Sequence, residues 1–286
     1  MSVGRDAPLA VLTSRVRIEE KRIFDALERR NIPYCHLDER DLSMALADEP
    51  VPWAALINRC MSNTRSPYVA RLFEARGVMV CNSSQVIATC GDKLLTSLAL
   101  VQAGLPTPRT AVALTPEAAL EALDRFGYPA VLKPVSGSWG RLLAKVNDRD
   151  AAEAVLEHKQ VLGSPMHSVI YMQEYIDKPG RDLRTIVLGK RVLCAMYRHA
   201  EHWITNTARG ATTTACEITD ELAELSLRVA HAVGGGALAI DFLERADGTL
   251  LVNEVNHTME FHGMMAATKV DVADALVQYV LEVAEL

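Results

Sequence analysis

Leu250-Leu251-Val252-Asn253-Glu254-Val255-Asn256-His257-Thr258-Met259-Glu260-Phe261 is the stretch on which the fold turns. Its apolar start anchors it as a strand. Alternation along a strand points residues i and i+2 the same way, so Glu254 and Asn256 share a face. A carboxylate beside an amide oxygen suits a hard cation, and Mg²⁺ takes oxygen ligands that it commonly shares with substrate phosphates. Upstream, Ala237 to Glu244 reads as a second strand with Asp241 in its later half. The segment between them, Arg245 to Thr249, contains Asp247-Gly248, the chemistry of a hairpin turn. Pairing the two strands brings Asp241 toward Glu254 and Asn256, which makes this trio the candidate metal ligands. The competing reading has the carboxylates flanking a hairpin in solvent. Asn256 favours the metal, because an amide adds nothing to a solvated face.

Working outward, residues 9–90 alternate short apolar strands with helices. Strands are expected at Leu9–Thr13, Pro33–Leu37, Trp53–Asn58 and Val78–Cys81. An amphipathic helix is expected from Ile18 to about Asn31, and another from Pro67 to Arg76, ended by Gly77. This is a βαβ pattern with a small parallel sheet. It lacks G-x-G-x-x-G after the first strand, so a dinucleotide site is not supported. A boundary is expected between Asn82 and Asp92. Beyond it come a helix at Lys93–Ala103, a strand at Thr110–Leu114 and a helix opened by Pro116 at the favoured first position. A strand then ends in Lys133, a glycine loop spans Val135–Gly140, and a strand follows at Leu142–Val146. A helix capped by Asp148 runs to His158. Strands dominate from Ser168, with helices at Glu221–Val233 and Asp271–Ala284. No internal repeat is present. The class is α/β (α+β), with room for two or three domains in 286 residues.

Apolar residues make up 49% of the chain, enough for a sizeable core, and the formal net charge is −6. A general nucleic-acid binder is normally basic, so that class is disfavoured. No run of about 18 apolar residues indicates a membrane span. The six cysteines are scattered with no C-x-x-C pair, which fits a reduced, cytoplasmic protein. Charge is uneven, however. From Lys178 to Gly210 seven Lys/Arg face Asp182 and Glu201, a net of +5. Such a stretch implies a local anion site or an acidic partner, against the alternative of a solvated, salt-bridged surface.

Two further constellations bear on chemistry. Lys133 at a strand end precedes Gly137-Ser138-Trp139-Gly140, where glycines let backbone N–H groups close on phosphate oxygens. The pattern is not G-x-x-x-x-G-K-[ST], so it is not a P-loop, and a plain hairpin is the alternative. The other is Gln173-Glu174-Tyr175-Ile176, a strand end whose backbone suits a flat base held between apolar side chains.

In order, Lys93 in Cys90-Gly-Asp-Lys93, Leu132 to Lys145, Gln173 to Ile176, Lys178 to Asp182, His202 to Gly210 and Asn253 to Phe261 resemble the ATP-grasp superfamily. Within it they are similar to the ribosomal-protein-modifying glutamate ligase branch, and more narrowly to the α-aminoadipate ligases of lysine biosynthesis. The resemblance spans nearly the whole chain. It implies an ATP-grasp fold with a parallel-sheet domain at 1–90, a central subdomain with a glycine lid at 91–172, and a C-terminal subdomain with the Mg²⁺ site at 173–286. It implies an enzyme that activates a carboxylate with ATP as an acyl phosphate, which an amine then attacks. The amine would be that of α-aminoadipate, and the carboxylate the C-terminal glutamate of a small acidic carrier protein. Glutamate as the amino acid, on a carrier or a protein tail, is the rival within the branch, and a non-catalytic nucleotide-binding module the rival from outside it.

The same resemblance assigns roles. Lys93 and Lys133 would meet ATP phosphates, Gly137, Ser138, Trp139 and Gly140 would cover them, and Gln173, Glu174, Tyr175 and Ile176 would hold adenine. Asp182, Arg184, Arg198, Asn206 and Thr207 would complete the nucleotide site. Asp241, Glu254 and Asn256 would hold Mg²⁺. Arg198 and Arg209 are the candidate catalytic cations, since a guanidinium matches carboxylate and phosphate geometry. Asn206, Thr207, Arg209, His257 and Thr258 would line the amino-acid pocket. Relatives form homo-oligomers, so a dimer or tetramer is expected. The segment after Phe261 is more apolar than an anion site requires.

Overall fold

The computed structural model describes residues 9–46, 50–137, 141–163, 168–205 and 210–286. The first sheet is parallel, in the order β2-β1-β3-β4. Its strands are β1 (Leu9–Thr13), β2 (Tyr34–Asp38), β3 (Ala55–Arg59) and β4 (Met79–Cys81). β1 and β3 are buried along their whole length, as expected for strands covered on both faces. Helices α1 (Ile18–Arg29) and α2 (Ser66–Glu74) cover them, burying Ile23 and Leu27 on one side and Val69 and Phe73 on the other. The stretch in which a boundary is expected carries a helix, α3 (Ser84–Cys90), started by the Ser83 hydroxyl accepting from Val86 N–H. Its apolar residues, Val86, Ile87 and Cys90, are spaced for one face and buried.

Helix α4 (Lys93–Gln102) begins where Asp92 caps the N–H groups of Leu94 and Leu95. The second sheet is antiparallel, in the order β5-β8-β6-β7. It contains β5 (Thr110–Ala113), β6 (Ala130–Lys133), β7 (Ala144–Val146) and β8 (Ile170–Glu174). Helices α5 (Pro116–Phe126) and α6 (Arg149–Leu162), capped by Thr115 and Asp148, pack Leu123 and Leu156 against it.

The third sheet is antiparallel, in the order β11-β10-β9-β12-β13. Its strands are β9 (Arg181–Leu188), β10 (Arg191–His199), β11 (Thr212–Cys216), β12 (Ala237–Glu244) and β13 (Leu250–Asn256). Helix α7 (Asp220–Ala232) covers one face. On the other, α8 (His262–Thr268) and α9 (Val272–Val283) join α1 in one core that includes Ile23, Ile186, Phe261 and Val277. The apolar segment after Phe261 is thus α8, and its Met264 is fully buried.

One amide fastens the first sheet to the third. The Asn82 side chain donates to the carbonyls of Ala237 (2.8 Å) and His257 (2.7 Å) and accepts from Ala237 N–H (2.6 Å). Gly236 makes room for it: a Cβ there would lie 2.1 Å from Asn82 Oδ1, and its φ is +108°. The strand end that feeds β12 and the turn leaving β13 are therefore held from outside the hairpin. Among the described residues no helix is long and apolar enough to cross a membrane.

Candidate active site

The second and third sheets enclose a cleft of about 560 Å³ open to solvent. Its floor is the β12–β13 hairpin. Asp241 pairs with Glu254 across the ladder and Asn256 with Ala239, so the expected neighbourhood forms. The register slips between Asp241 and Phe242, leaving Asn253 as the extra residue of a β-bulge. Asn253 and Glu254 consequently both line the cleft, which strict alternation forbids.

Asp241 does not stand free. Its Oδ1 accepts from Arg184 Nε at 2.5 Å and its Oδ2 from Arg184 Nη2 at 2.7 Å, while Arg198 Nη2 lies 3.2 Å from Oδ2. Burial pushes its pKa up, but the two guanidinium groups outweigh burial and hold it below the ordinary carboxylate value. Arg198 also donates to both oxygens of Asp182, at 2.6 and 2.8 Å. Burial opposes its charge, yet Asp241 and Asp182 together raise its pKa. Asp182 accepts from the Thr205 hydroxyl and lies 3.7 Å from Lys178 Nζ. Lys178, whose pKa burial lowers, donates to Thr205 Oγ at 2.6 Å. A buried row of alternating charge thus runs Lys178, Asp182, Arg198, Asp241, Arg184. Arg198, expected to face the triphosphate, lines the cleft with its guanidinium already shared between two carboxylates.

On the facing sheet, Lys133 ends β6 and is buried. Its Nζ donates to Gln173 Oε1 (2.6 Å) and Asn253 Oδ1 (2.9 Å). Burial pulls its pKa down to about 8. Lys93, at the start of α4, donates to the Gly137 carbonyl (2.8 Å) and lies 3.8 Å from Glu254 Oε1. The structure therefore brings both expected phosphate lysines to the hairpin that carries the expected metal ligands. Gly137 has φ +145°, within the region open to glycine. Ser138, Trp139, Gly140, Asn206, Thr207 and Arg209 lie outside the described residues.

The expected adenine segment divides. Gln173 and Ile176 are buried, and Gln173, Glu174, Tyr175 and Ile176 line the cleft. Tyr175 is backed by Lys145, whose Nζ sits 3.6 Å from the ring centroid, and by Trp203 edge-on at 6.3 Å. The Glu174 carboxylate instead bonds Arg109 (3.2 Å) and Arg245 (2.9 Å). His257 and Thr258 bond each other at 2.9 Å, and burial lowers the His257 pKa to about 4, so the imidazole is neutral near pH 7. Much of the basic stretch from Lys178 is not the solvated surface that was the alternative to an anion site. Lys178, Arg184 and Arg198 turn inward onto carboxylates, and Arg181 bonds Glu244.

Sequence reading passed over Asn253, Trp203 and Thr205, all of which line the cleft. The bulge that redirects Asn253 has no signature in the chain. Asp241, Glu254 and Asn256 offer hard oxygen donors, and the buried Asn256 Nδ2 has no hydrogen-bond partner. Among the described residues no three His, Cys, Asp or Glu cluster as a metal cage, so an ion held here would draw on Asn256 and on oxygens from its ligand. That donor set fits Mg²⁺, which keeps several sites for water and phosphate.

A cleft between two antiparallel sheets, floored by two carboxylates and an amide and walled by buried lysines, is matched by family. Residues 90–280 match the RimK-like ATP-grasp domain and residues 9–89 the LysX preATP-grasp domain. The chain belongs to the RimK-like ATP-grasp family and is an ATP-dependent carboxylate–amine ligase that uses ATP and Mg²⁺. It is similar to the glutamate–LysW ligase ArgX of Sulfurisphaera tokodaii, at 35% identity over 96% of this chain and 98% of that protein. It is also similar to the α-aminoadipate–LysW ligase LysX of the same organism, at 31% over 96% and 98%. Among solved structures, a RimK-domain ATP-grasp protein of Sphaerobacter thermophilus superposes with a TM-score of 0.81 at 27% identity, covering 96% of this chain and all of that one.

Proposed function

We propose that this ligase joins the α-amino group of an acidic amino acid to the C-terminal glutamate of a small acidic LysW-type carrier protein. α-Aminoadipate is the first reading of the amino acid. The observation that carries the carrier assignment is the near full-length similarity to two LysW ligases. Glutamate is the second reading, favoured by 35% rather than 31% identity to the two ligases of one organism over the same 96% of the chain. The two amino acids differ by one methylene, which a pocket distinguishes by only about 1–3 kcal/mol.

In this reading Lys93 and Lys133 hold the phosphates of ATP, and Gln173 to Ile176 hold the base with Tyr175 as its wall. The carrier carboxylate oxygen attacks the γ-phosphorus, ADP leaves, and an acyl phosphate remains. The amine then attacks the acyl carbon, phosphate departs, and the amine loses a proton. Asp241, Glu254 and Asn256 would hold Mg²⁺, which would supply positive charge to the phosphate oxygens. Arg198 stays fixed by Asp182 and Asp241, so it acts as a static positive charge. His257, neutral at pH 7, shapes the exit from β13.

Purified protein is incubated with ATP, Mg²⁺, a LysW-type carrier and either amino acid, and the intact mass of the carrier is read. The expected result is a carrier heavier by one acidic residue, formed with stoichiometric ADP. The added mass tells α-aminoadipate from glutamate. ATP turnover with the carrier mass unchanged under both amino acids contradicts the carrier reading.

A further inference from the structure

The cleft treats one of its cations differently from the rest. Lys178, Arg184 and Arg198 each have a carboxylate at 3.7 Å or closer, and Lys93 has Glu254 at 3.8 Å. Among the described residues, the hydrogen-bond acceptors of Lys133 are two amide oxygens, those of Gln173 and Asn253. An ammonium has three N–H donors. Two are taken by these amides, and the third has no acceptor among the described residues. Amides fix the direction of the group without cancelling its charge, and Glu254 acts on it only at a distance, with no direct ion pair between them. Burying such a charge without a directly bonded counterion is unfavourable, so this arrangement costs stability unless an anion completes it.

Asn253 reaches Lys133 only because of the bulge. Val252 pairs with Phe242 and Glu254 with Asp241, so Asn253 faces no partner across the ladder. A regular strand would turn Asn253 away from the face that carries Glu254. The extra residue places two consecutive side chains, Asn253 and Glu254, in one cleft. The β12–β13 hairpin therefore presents a metal-binding carboxylate and a neutral acceptor for the phosphate lysine side by side.

We propose that Asn253 is a positioning residue for nucleotide binding. With Gln173 it holds the Lys133 ammonium between neutral acceptors and aims the third N–H, with its charge intact, at a phosphate oxygen of ATP. The inference rests on the reading of Lys133 as a phosphate ligand. It adds a requirement that the acceptor at position 253 be uncharged. An aspartate there would keep the hydrogen bond and cancel the charge.

The test is calorimetric titration of ATP in EDTA, which removes metal binding at Glu254 from the readout. Wild type, Asn253→Asp, Lys133→Met and the double variant are compared. Asn253→Asp is expected to weaken ATP binding on the order of tenfold, as a charge-assisted phosphate contact is lost. That loss should vanish in the Lys133→Met background, because the two residues act as one unit. Wild-type affinity in Asn253→Asp, or the same loss with and without Lys133, overturns the inference. Wild-type affinity in Lys133→Met would instead overturn the phosphate role of Lys133, on which the inference depends.

A pH series separates positioning from a merely structural role, and it stays decisive if Asn253→Asp does not fold. The charged groups facing Lys133 are Glu254, Lys93 and Lys178, and burial sets its pKa at about 8. Lys133 is charged below that value, so ATP affinity should fall as pH rises through it. In Asn253→Ala, with one acceptor gone, the midpoint of that loss should move to lower pH. In Asn253→Asp it should move higher. A midpoint unmoved by Asn253→Ala contradicts the proposal.

Discussion

Two buried ion networks lie on either side of the β12–β13 hairpin, and they are built to opposite rules. At the seam between the first and third sheets, Glu20 accepts from Arg17 and from Arg59, Arg17 also reaches Glu260, and Arg59 donates to the Met259 carbonyl. Glu19 meets His262 at 2.7 Å. Among the described residues two arginines there face three glutamates, and the buried Arg59 Nη2 has no hydrogen-bond partner. In the cleft, among the described residues, Lys93, Lys133, Lys178, Arg184 and Arg198 face Asp182, Asp241 and Glu254, while Glu174, which also lines it, is held by Arg109 and Arg245. A network without a cationic surplus is a fastening. A cleft with a local surplus of positive charge is suited to an anion, and the triphosphate of ATP is one.

Breaking the fastening should have the largest effect on stability. Glu20→Gln removes one partner of a buried pair and leaves Arg59 without its carboxylate, a change that costs about 3–5 kcal/mol. Denaturant unfolding checks this, and ATP affinity of the folded fraction should stay at the wild-type value. A seam variant that unfolds normally but loses ATP would erase the distinction between the networks.

Breaking the cleft should do the reverse. Lys133→Met should lower kcat/KM for ATP by about 10²–10³, the range for losing one preorganised charge donor, with little change in melting temperature. Steady-state kinetics alongside thermal melts decide it.

Acid sharpens the contrast further. Burial raises the Glu20 pKa, but bonding from Arg17 and the charge of Arg59 outweigh it and bring it down from 4.5 to about 2. A depressed carboxylate stabilises the fold fully above its unfolded value and loses that contribution as pH falls through the folded one. Wild-type stability should therefore decline between pH 4.5 and 2 more steeply than that of Glu20→Gln. The smallest effect belongs to an exposed pair, Arg149 with Glu153 one helical turn away. Glu153→Gln should leave the denaturant midpoint unchanged within error, since an exposed pair contributes little.

Much of the fold was legible because its elements follow local rules. Leu9–Thr13 is an unbroken apolar run and becomes a fully buried parallel strand. Pro116, Asp148 and the Asp247-Gly248 turn mark ends that the structure keeps. The hairpin pairing of Asp241 with Glu254 follows from alternation on both sides of that turn. What escaped depended on contacts distant in sequence. Helix α3 is short, and its apolar face is defined only by the cores it enters. Asn253 is aimed by a bulge, Asp241 is turned onto Arg184 and Arg198 from neighbouring strands, and the basic stretch folds inward because its carboxylates lie on facing strands. Net charge along a sequence does not record which of its charges will be buried together.

The central claim is that the face of β12–β13 bearing Glu254 drives ATP-dependent ligation, and Glu254→Gln tests it most directly. ADP release is measured with Mg²⁺, carrier and amino acid present, on wild type and on Glu254→Gln protein of matched melting temperature. The account predicts release that requires all components in wild type and background release in the variant. Wild-type release from Glu254→Gln would contradict it.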